Sequence, residues 1–266
     1  MKPLRRRTLW LSTCLVLGSM ACFPQVPNAG ATTPAFREFT IVHSELSDSP
    51  APVSAGRTVI EAQRADGSRV RGEVILKGDE IVPPTVRDIT LVPERMKVRV
   101  DDALKAKTTM YMHGPAPSHA AALDSMCGIS HLSPGAKPAY IDPEEVLGYA
   151  TIGIQTEMQG PDQSFLTKEW RAPDLDCAVL RMTEVRRDAF GAVTGEYRYE
   201  AEKVTVGPPA PELFKIPPDY TEKSPSQMES AILQQVGDPD RPVPERVRKR
   251  LEREDQRYFE NHNRPH

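Results

Sequence analysis

The sequence predicts a mainly β fold: an antiparallel curved sheet, arranged as a half-barrel or an open barrel, with a C-terminal helical appendage. Three observations predict it. Apolar and polar residues alternate with a period of two over several runs. An Asp66-Gly67 pair stands between two such runs, as in a β-hairpin. The 26 prolines in 266 residues favour short strands joined by turns over a helical bundle.

The N-terminus is typical of a secretory signal peptide covering residues 1–31. Lys2 and the arginines at 5–7 precede an apolar run at 9–23, which is short for a membrane span. Small residues at 29–31 predict cleavage after Ala31. The sequence therefore predicts a periplasmic or secreted protein.

Two alternatives to an ordinary secretory signal peptide remain open. Residues 19–22 end in Cys22 and form a poor lipobox, so the alternative is a lipoprotein anchored through Cys22. Arg6-Arg7 faintly resembles a twin-arginine signal. No second apolar run of spanning length follows, so contact with a membrane is expected only if Cys22 is lipidated.

The charge of the mature chain argues against nucleic acid as a partner. Four of the 34 basic residues and none of the 37 acidic residues lie in 1–31, which leaves 30 basic and 37 acidic residues and a net charge of −7. Nucleic-acid binding by bulk charge needs the opposite sign. We expect no nucleic-acid partner.

The β domain is predicted over residues 36–221. Its first strand is 39–43, and the hairpin at Asp66-Gly67 joins 58–64 to 68–76. A second hairpin is predicted from 89–91 to 96–100. Residues 104–112 then alternate as a third strand, with a helix over 102–109 as the alternative. An apolar face on these 89–112 strands that is open to solvent would favour ligand binding.

Residues 113–143 are predicted to be an irregular insertion with a helical patch at 120–126. Long irregular segments often form lids, caps or binding loops. Strand character resumes over 146–158 and 164–170. The remaining predicted strands are 177–186 and 194–206, followed by a short proline-rich edge segment at 213–218.

The strand at 194–206 carries its apolar residues out of phase. Tyr197, Tyr199 and Ala201 share one face, whereas Val204 and Val206 fall on the other. A strict period of two cannot place both sets on one side. We therefore expect a bulge near Glu202-Lys203 or burial on both faces over part of the strand.

Residues 222–266 are predicted to be a helical tail. Ser224 can cap a helix at 228–236, and a proline-rich link leads to a second helix at 245–261. The second helix has a sparse apolar stripe of Val247, Leu251 and Tyr258 among charged residues. Loose docking on the β domain is favoured over partner binding.

Cys127 and Cys177 are the two cysteines left after signal cleavage, and in an oxidising compartment they are expected to form a disulfide. Two separated thiols or a functional free thiol are the alternatives. His113, His119, Cys127 and His131 could ligate zinc, but no CxxC or HExxH spacing supports this, so neither a metal nor another cofactor is predicted.

Candidate site residues are few. No nucleophile elbow or glycine-rich phosphate loop is present, so no catalytic residue is predicted. Tyr149, Trp170, Tyr197 and Tyr199 are the residues expected to line a pocket for an apolar ligand. Aromatic residues in strands also serve as core or cross-strand pairs, which is the competing interpretation.

Several short motifs support a family resemblance. They are Glu169-Trp170, Val179-Leu180, the turn at Gly191, the strand end at 204–207, and Leu213-Phe214-Lys215-Ile216-Pro217 before Tyr220. With these, residues 145–221, and more loosely 57–112, resemble uncharacterised secreted bacterial proteins. More distantly they are similar to the lipoprotein-carrier (LolA-like) half-barrel superfamily. The resemblance implies a curved antiparallel sheet with a concave face that accommodates lipid, and it carries over no functional residue.

The predicted function is that of an exported, non-enzymatic envelope protein that binds an apolar ligand or a protein partner on its curved sheet. The expected partner is a lipid or an envelope protein. One alternative is an envelope hydrolase with its site in the 113–143 segment, where His113, His119 and His131 would have to converge. The other is a purely structural envelope component.

Overall fold

The structure is a computed structural model that describes residues 35–47, 57–77, 80–82, 85–116, 118–129, 136–160, 162–235, 243 and 245–262. The predicted signal peptide and the lipidation site at Cys22 lie outside these residues. The described residues belong to one compact unit.

The first half of the described chain is a meander of seven strands. They are β1 (Phe39–Ser47), β2 (Arg57–Gln63), β3 (Arg69–Lys77), β4 (Glu80–Val82), β5 (Val86–Leu91), β6 (Met96–Asp101) and β7 (Ala106–Tyr111). The predicted hairpins at 58–76 and 89–100 are thus confirmed. Residues 102–105 form a turn before β7, so the helical alternative over 102–109 is wrong.

Gly67 shows why the β2–β3 turn takes its sequence. Its φ is +82°, in the left-handed region where a side chain is strained. A Cβ atom on Gly67 would also stand 2.6 Å from the ring of Phe36. Asp66 completes the turn, because its Oδ1 accepts the Ser68 N–H at 2.8 Å.

The second half begins with the helix α1 (His119–Cys127). It continues through β8 (Ala136–Ile141), β9 (Glu145–Val146), β10 (Tyr149–Ala150), β11 (Ile152–Gln159), β12 (Gln163–Ala172), β13 (Ala178–Asp188) and β14 (Val193–Val206). The helical patch predicted at 120–126 is confirmed as α1. The prediction that 113–143 is irregular is wrong over β8, which pairs with β11 despite containing Pro138.

The chain ends with β15 (Thr221–Glu222), α2 (Pro225–Gln235) and α3 (Glu245–His262). A short 3-10 helix, Pro211–Phe214, stands where an edge segment was predicted at 213–218. That prediction is wrong, because Leu213 and Phe214 turn into the core instead of extending along the sheet.

One sheet of 13 strands contains all of these strands except β9 and β10, which pair with each other. Its order is β15-β7-β6-β5-β3-β2-β1-β14-β13-β12-β11-β8, with β4 added beside β3. The two ends of this path do not pair, so the sheet is curved and open, as predicted. The contact between β15 and β7 is parallel, and the other pairings of the sheet are antiparallel.

Cross-strand pairing defines the two faces, because directly opposed residues point to the same side. We call the side of Phe39, Ile41, His43 and Glu45 in β1 the front face, and the side of Thr40 and Val42 the back face. Over β2–β6 the front face is rich in charged residues, and the back face is apolar.

The apolar back face of β2–β6 forms one core cluster. It contains Ile60, Ala62, Val70, Val74, Ile89, Leu91, Val98 and Val100. Leu213 and Phe214 cover it from the 3-10 helix. Arg87 helps to hold this segment, since its Nη2 donates to the Lys215 carbonyl at 3.0 Å. The apolar side of the 89–112 strands is therefore covered by the protein itself and is not an open ligand face.

A second core cluster lies around the ends of β1, β12 and β13. It contains Phe39, Ile41, Val146, Trp170, Ala172, Leu175, Ala178, Leu180 and Ala201.

The two halves of the sheet are joined where β1 pairs with β14. Val42 opposes Lys203 and His43 opposes Ala201, so Glu202 is an extra residue. The predicted bulge near Glu202-Lys203 is confirmed, and it brings Ala201 and Val204 onto the same face as His43 and Ile41.

The helical tail packs on the β7 end of the sheet, through α2 and α3. Ser224 caps α2: its Oγ accepts the Gln227 N–H at 3.4 Å, and Gln227 Oε1 accepts the Ser224 N–H at 2.9 Å. Glu222 ties β15 to β7 by accepting the Thr109 N–H at 2.6 Å. Met228 and Tyr258 are buried beneath the two helices.

Candidate functional site

The candidate site lies on the front face, where β1 meets β14. His43 on β1 opposes Ala201, and Tyr199 on β14 opposes Glu45. Their rings stack with centroids 4.0 Å apart and planes within 15°. Both side chains are buried, with His43 0% and Tyr199 3% exposed.

Polar atoms of this pair have no hydrogen-bond partner among the described residues. These atoms are both ring nitrogens of His43 and the hydroxyl oxygen of Tyr199. Buried polar groups are normally hydrogen-bonded, because burying them unpaired costs free energy. Unpaired groups of this kind at one place in a sheet identify a candidate binding site.

Arg71 reaches this pair from β3, which is two strands from β1 and three from β14. Its guanidinium carbon lies 4.9 Å from the centre of the Tyr199 ring, a cation–π arrangement. Its Nη2 donates to Glu45 Oε1 at 2.8 Å. The Arg71 side chain is 51% exposed and that of Glu45 18%, so the ion pair lies over the buried rings at the edge of solvent.

The electrostatics of the site follow from its burial. Burial, and secondarily the positive charge of Arg71, lower the pKa of His43 from 6.5 to about 3, so the imidazole is neutral near pH 7. Burial also raises the pKa of Tyr199, and the nearby Glu61 adds to the rise. The pKa of Glu61 is itself raised by burial, against the opposing effect of Arg69 and Arg71.

Tyr197 lies one step further along the front face of β14. Burial, and then a hydrogen bond to Glu45, raise its pKa to about 12. The site thus contains two phenols and a neutral imidazole beneath one arginine. This arrangement can donate hydrogen bonds to an acceptor, but it presents no nucleophile activated by a base.

A cavity of about 290 Å³ runs beside the site along β13 and β14. It is lined by residues 181–185 and 196–200, which include Met182, Tyr197 and Tyr199. Tyr197 and Tyr199, two of the four predicted pocket residues, therefore face the same cavity. A further cavity of about 410 Å³ lies between the back face and residues 208–213.

The other two predicted pocket residues belong to the core. Trp170 is 8% exposed within the second core cluster, and Tyr149 packs against that cluster. The Trp170 indole donates to the Asp142 carbonyl at 3.4 Å. The four aromatic residues are thus not brought together, and the competing core interpretation applies to Trp170 and Tyr149.

The structure contains the predicted disulfide between Cys127 and Cys177, with Cα atoms 5.3 Å apart. It joins the C-terminal end of α1 to the turn before β13. His119, at the other end of α1, contacts Asp176 Oδ1 through Nε2 at 3.2 Å. Asp176 Oδ2 accepts from Gln63 Nε2 at 2.6 Å, which connects α1 to β2.

The residues weighed for zinc or hydrolase chemistry do not converge in the described part of the chain. Cys127 is in the disulfide, His119 pairs with Asp176, and His131 lies outside the described residues. Within the residues that the structure describes, no group of three or more His, Cys, Asp or Glu side chains is placed to hold a metal ion.

None of the described helices is long and apolar enough to cross a membrane.

Sequence reasoning missed the main members of the site: His43, Glu45, Glu61 and Arg71. One observation could have indicated two of them. His43 and Glu45 occupy the positions in β1 that continue the apolar alternation of Phe39 and Ile41, which places polar groups on an otherwise buried side. Arg71 could not be found this way, because its role depends on reaching across β2 and β1.

No protein-family model and no curated protein sequence matches the chain. Solved structures are similar to it at low identity. A chain of the MucA/MucB complex of Pseudomonas aeruginosa is 11% identical with a TM-score of 0.40, over 70% of this chain and 57% of that one. A LolA superfamily protein of Nitrosomonas europaea is 6% identical with a TM-score of 0.31, over 68% and 90%. LprF of Mycobacterium bovis is 12% identical with a TM-score of 0.29, over 68% and 91%.

This chain therefore spans little more than half the length of the matched MucA/MucB chain. LolA superfamily proteins are among the similar structures, as the sequence resemblance predicted. With TM-scores below 0.5, the ligand and partner of this chain have to be inferred from its own residues. Its architecture is established by its own strand order and pairings.

Proposed function

We propose that this chain is an exported, non-enzymatic envelope protein that binds an apolar ligand against β13 and β14. The observation that carries the proposal is the cavity of about 290 Å³ that Met182, Tyr197 and Tyr199 help to line. Ligand pockets are typically concave and apolar with a few polar groups that fix orientation. The phenols and the neighbouring His43–Arg71 group match that description.

The test is displacement of the neutral fluorescent probe N-phenyl-1-naphthylamine from the mature protein. Probe binding that long-chain alcohols displace supports the proposal. Tyr197→Ala should weaken probe binding, because it removes an aromatic wall of the cavity. Tyr140→Ala is the matched control, since Tyr140 is 60% exposed on β8 and does not line this cavity. Equal loss in both variants, or no binding by the wild type, would refute the proposal.

Export is tested separately. The mature protein should begin at Thr32, or at a lipidated Cys22 under the alternative, and intact-mass measurement of protein purified from the envelope distinguishes the two. A chain that retains residues 1–31 and fractionates with the cytoplasm would contradict an envelope location.

A protein partner is the second candidate function. The tip of the β13–β14 hairpin presents Phe190, which is 96% exposed, beside Val193, which is 51% exposed. Such exposed apolar groups mark interaction sites when they cluster. Photo-crosslinking from position 190 in cells, with position 140 as the control, would capture a partner that contacts the tip. The absence of a crosslink specific to position 190 would rule out this candidate function.

A further inference from the structure

The unpaired polar atoms of His43 and Tyr199 indicate which chemical groups a ligand would need in order to hydrogen-bond to them. Tyr199 offers one O–H donor and an acceptor oxygen, and a neutral His43 offers one N–H donor and one lone pair. Neither side chain has a partner for these atoms among the described residues, and both are more than nine-tenths buried. A partner with acceptor oxygens would satisfy both donors, which cost free energy when they are left unpaired.

Arg71 extends this donor set. Its guanidinium lies over the Tyr199 ring and is held there by Glu45. Because half of the Arg71 side chain is exposed, its ion pair with Glu45 is screened by solvent and is weak. A second carboxylate or a phosphate could therefore replace Glu45 as the partner of Arg71, in the paired geometry that guanidinium groups favour.

We infer that His43, Arg71 and Tyr199 form a site for the oxyanion of an amphipathic ligand, whose apolar chain lies in the cavity along β13 and β14. This inference rests on the proposed function. The oxyanion is a carboxylate or a phosphate. It displaces Glu45 from Arg71, and movement of the Arg71 guanidinium opens the way to the Tyr199 hydroxyl and the His43 ring.

Two features support the placement. Tyr199 belongs both to the polar pair and to the cavity lining, so one molecule can reach the two parts. Burial raises the pKa of Glu61 and so disfavours its charged form, which leaves the positive charge of Arg71 less fully balanced. The positive charge of Arg71 therefore favours an anion over a neutral head group at this position.

The experiment compares three ligands that differ in their head group: dodecanoate, dodecyl phosphate and 1-dodecanol. Affinities for the mature protein are measured by isothermal titration calorimetry at pH 7.5, below the micelle concentration. At least one anionic ligand should bind about tenfold more tightly than the alcohol, as expected for one added charge-assisted hydrogen bond. The tighter of the two anions identifies carboxylate or phosphate.

Three variants locate the effect. Arg71→Gln should abolish the preference for the anion, while Arg99→Gln should retain it. Arg99 is the matched control, because it lies on the front face in register with Arg71 but two strands further from Tyr199. Glu45→Gln should tighten anion binding several-fold and leave the alcohol unchanged, because it removes the competing carboxylate. A variant that merely unfolds cannot produce that gain.

The outcomes separate the two proposals. Equal affinity for the anions and the alcohol overturns the oxyanion site but leaves apolar binding intact. Binding of none of the three ligands overturns both. A preference for the anion that survives Arg71→Gln, or is lost equally in Arg99→Gln, also overturns the assignment to this site.

Discussion

Asp176 and Cys177, two consecutive residues, hold the opposite ends of α1. Asp176 contacts His119 at the first position of the helix, and Cys177 is bonded to Cys127 at the last. Both anchors have left-handed backbones, with φ of +49° and +59°. The tight corner that these conformations create places their side chains side by side beneath one short helix.

Removing the disulfide should destabilise the protein. It closes a loop with a sequence separation of 50, and Cys127→Ser/Cys177→Ser should lower the free energy of unfolding by about 2–4 kcal/mol. Urea titration followed by tryptophan fluorescence measures the change. Wild-type protein in excess reductant is the control and should match the double variant. An unchanged urea midpoint would show that the bond does not form.

Acidification should weaken the fold through His43. Its pKa is about 3 in the folded protein and 6.5 in the unfolded chain, so below pH 6.5 the unfolded chain binds more protons. This contribution is fully present above pH 6.5 and is lost as the pH falls toward 3, by about 1.4 kcal/mol per unit. Urea midpoints at pH 7.5 and 5.5 measure the effect.

The control for this prediction is His43→Phe, which keeps an aromatic ring against Tyr199 but does not titrate. Its stability should change less between the two pH values than that of the wild type. Other groups, including His113, His119 and His262, are common to both proteins. Equal pH dependence in wild type and variant would contradict the assignment to His43.

Tyr199→Phe should leave stability unchanged or raise it. The buried hydroxyl has no partner in the described structure, so its removal relieves a desolvation cost and keeps the stacked ring. The same variant should lose affinity for the preferred anionic ligand. Thermal unfolding together with calorimetry checks both expectations. A loss of stability above about 2 kcal/mol would show that the hydroxyl is paired in the free protein.

Leu180→Ala should be strongly destabilising. Leu180 is 0% exposed in the second core cluster beside Phe39 and Ile41, and truncating such a side chain costs about 2–5 kcal/mol. Leu46→Ala on β1 is the matched control, since Leu46 is 49% exposed and should change stability by less than about 0.5 kcal/mol. Comparable urea midpoints for the two variants would contradict the core assignment.

Local sequence patterns predicted most of the sheet because its turns are encoded locally. The Asp66-Gly67 turn has a backbone that glycine requires, and the out-of-phase Val204 predicted the bulge at Glu202. The strand β8 was not predicted, because its sequence is poor in β-branched residues and contains Pro138. Its strand conformation is imposed by pairing with β11, a tertiary effect that no local pattern contains.

The site was harder to predict than the fold. The pattern of aromatic residues in strands predicts Tyr197 and Tyr199 as pocket residues, which stays a prediction, and the cysteine count predicts the disulfide that the structure contains. Arg71 could not be predicted as a site residue, because only the strand order brings it against Tyr199, which lies more than 120 residues later in the sequence. Trp170 illustrates the reverse error: an aromatic residue in a strand suggested a pocket, but bulk alone does not distinguish a pocket wall from core.

The pairing of β1 with β14 has a consequence for how the chain folds. The meander from β1 to β7 and the one from β8 to β14 each join strands that are close in sequence, and such local contacts form quickly. The β1–β14 pairing joins Phe39 to Val206 and closes the longest loop in the sheet. If the chain is exported as proposed, β1 would keep one edge unpaired until Val206 had crossed the membrane, and during that interval the edge would be open to aggregation or to a chaperone.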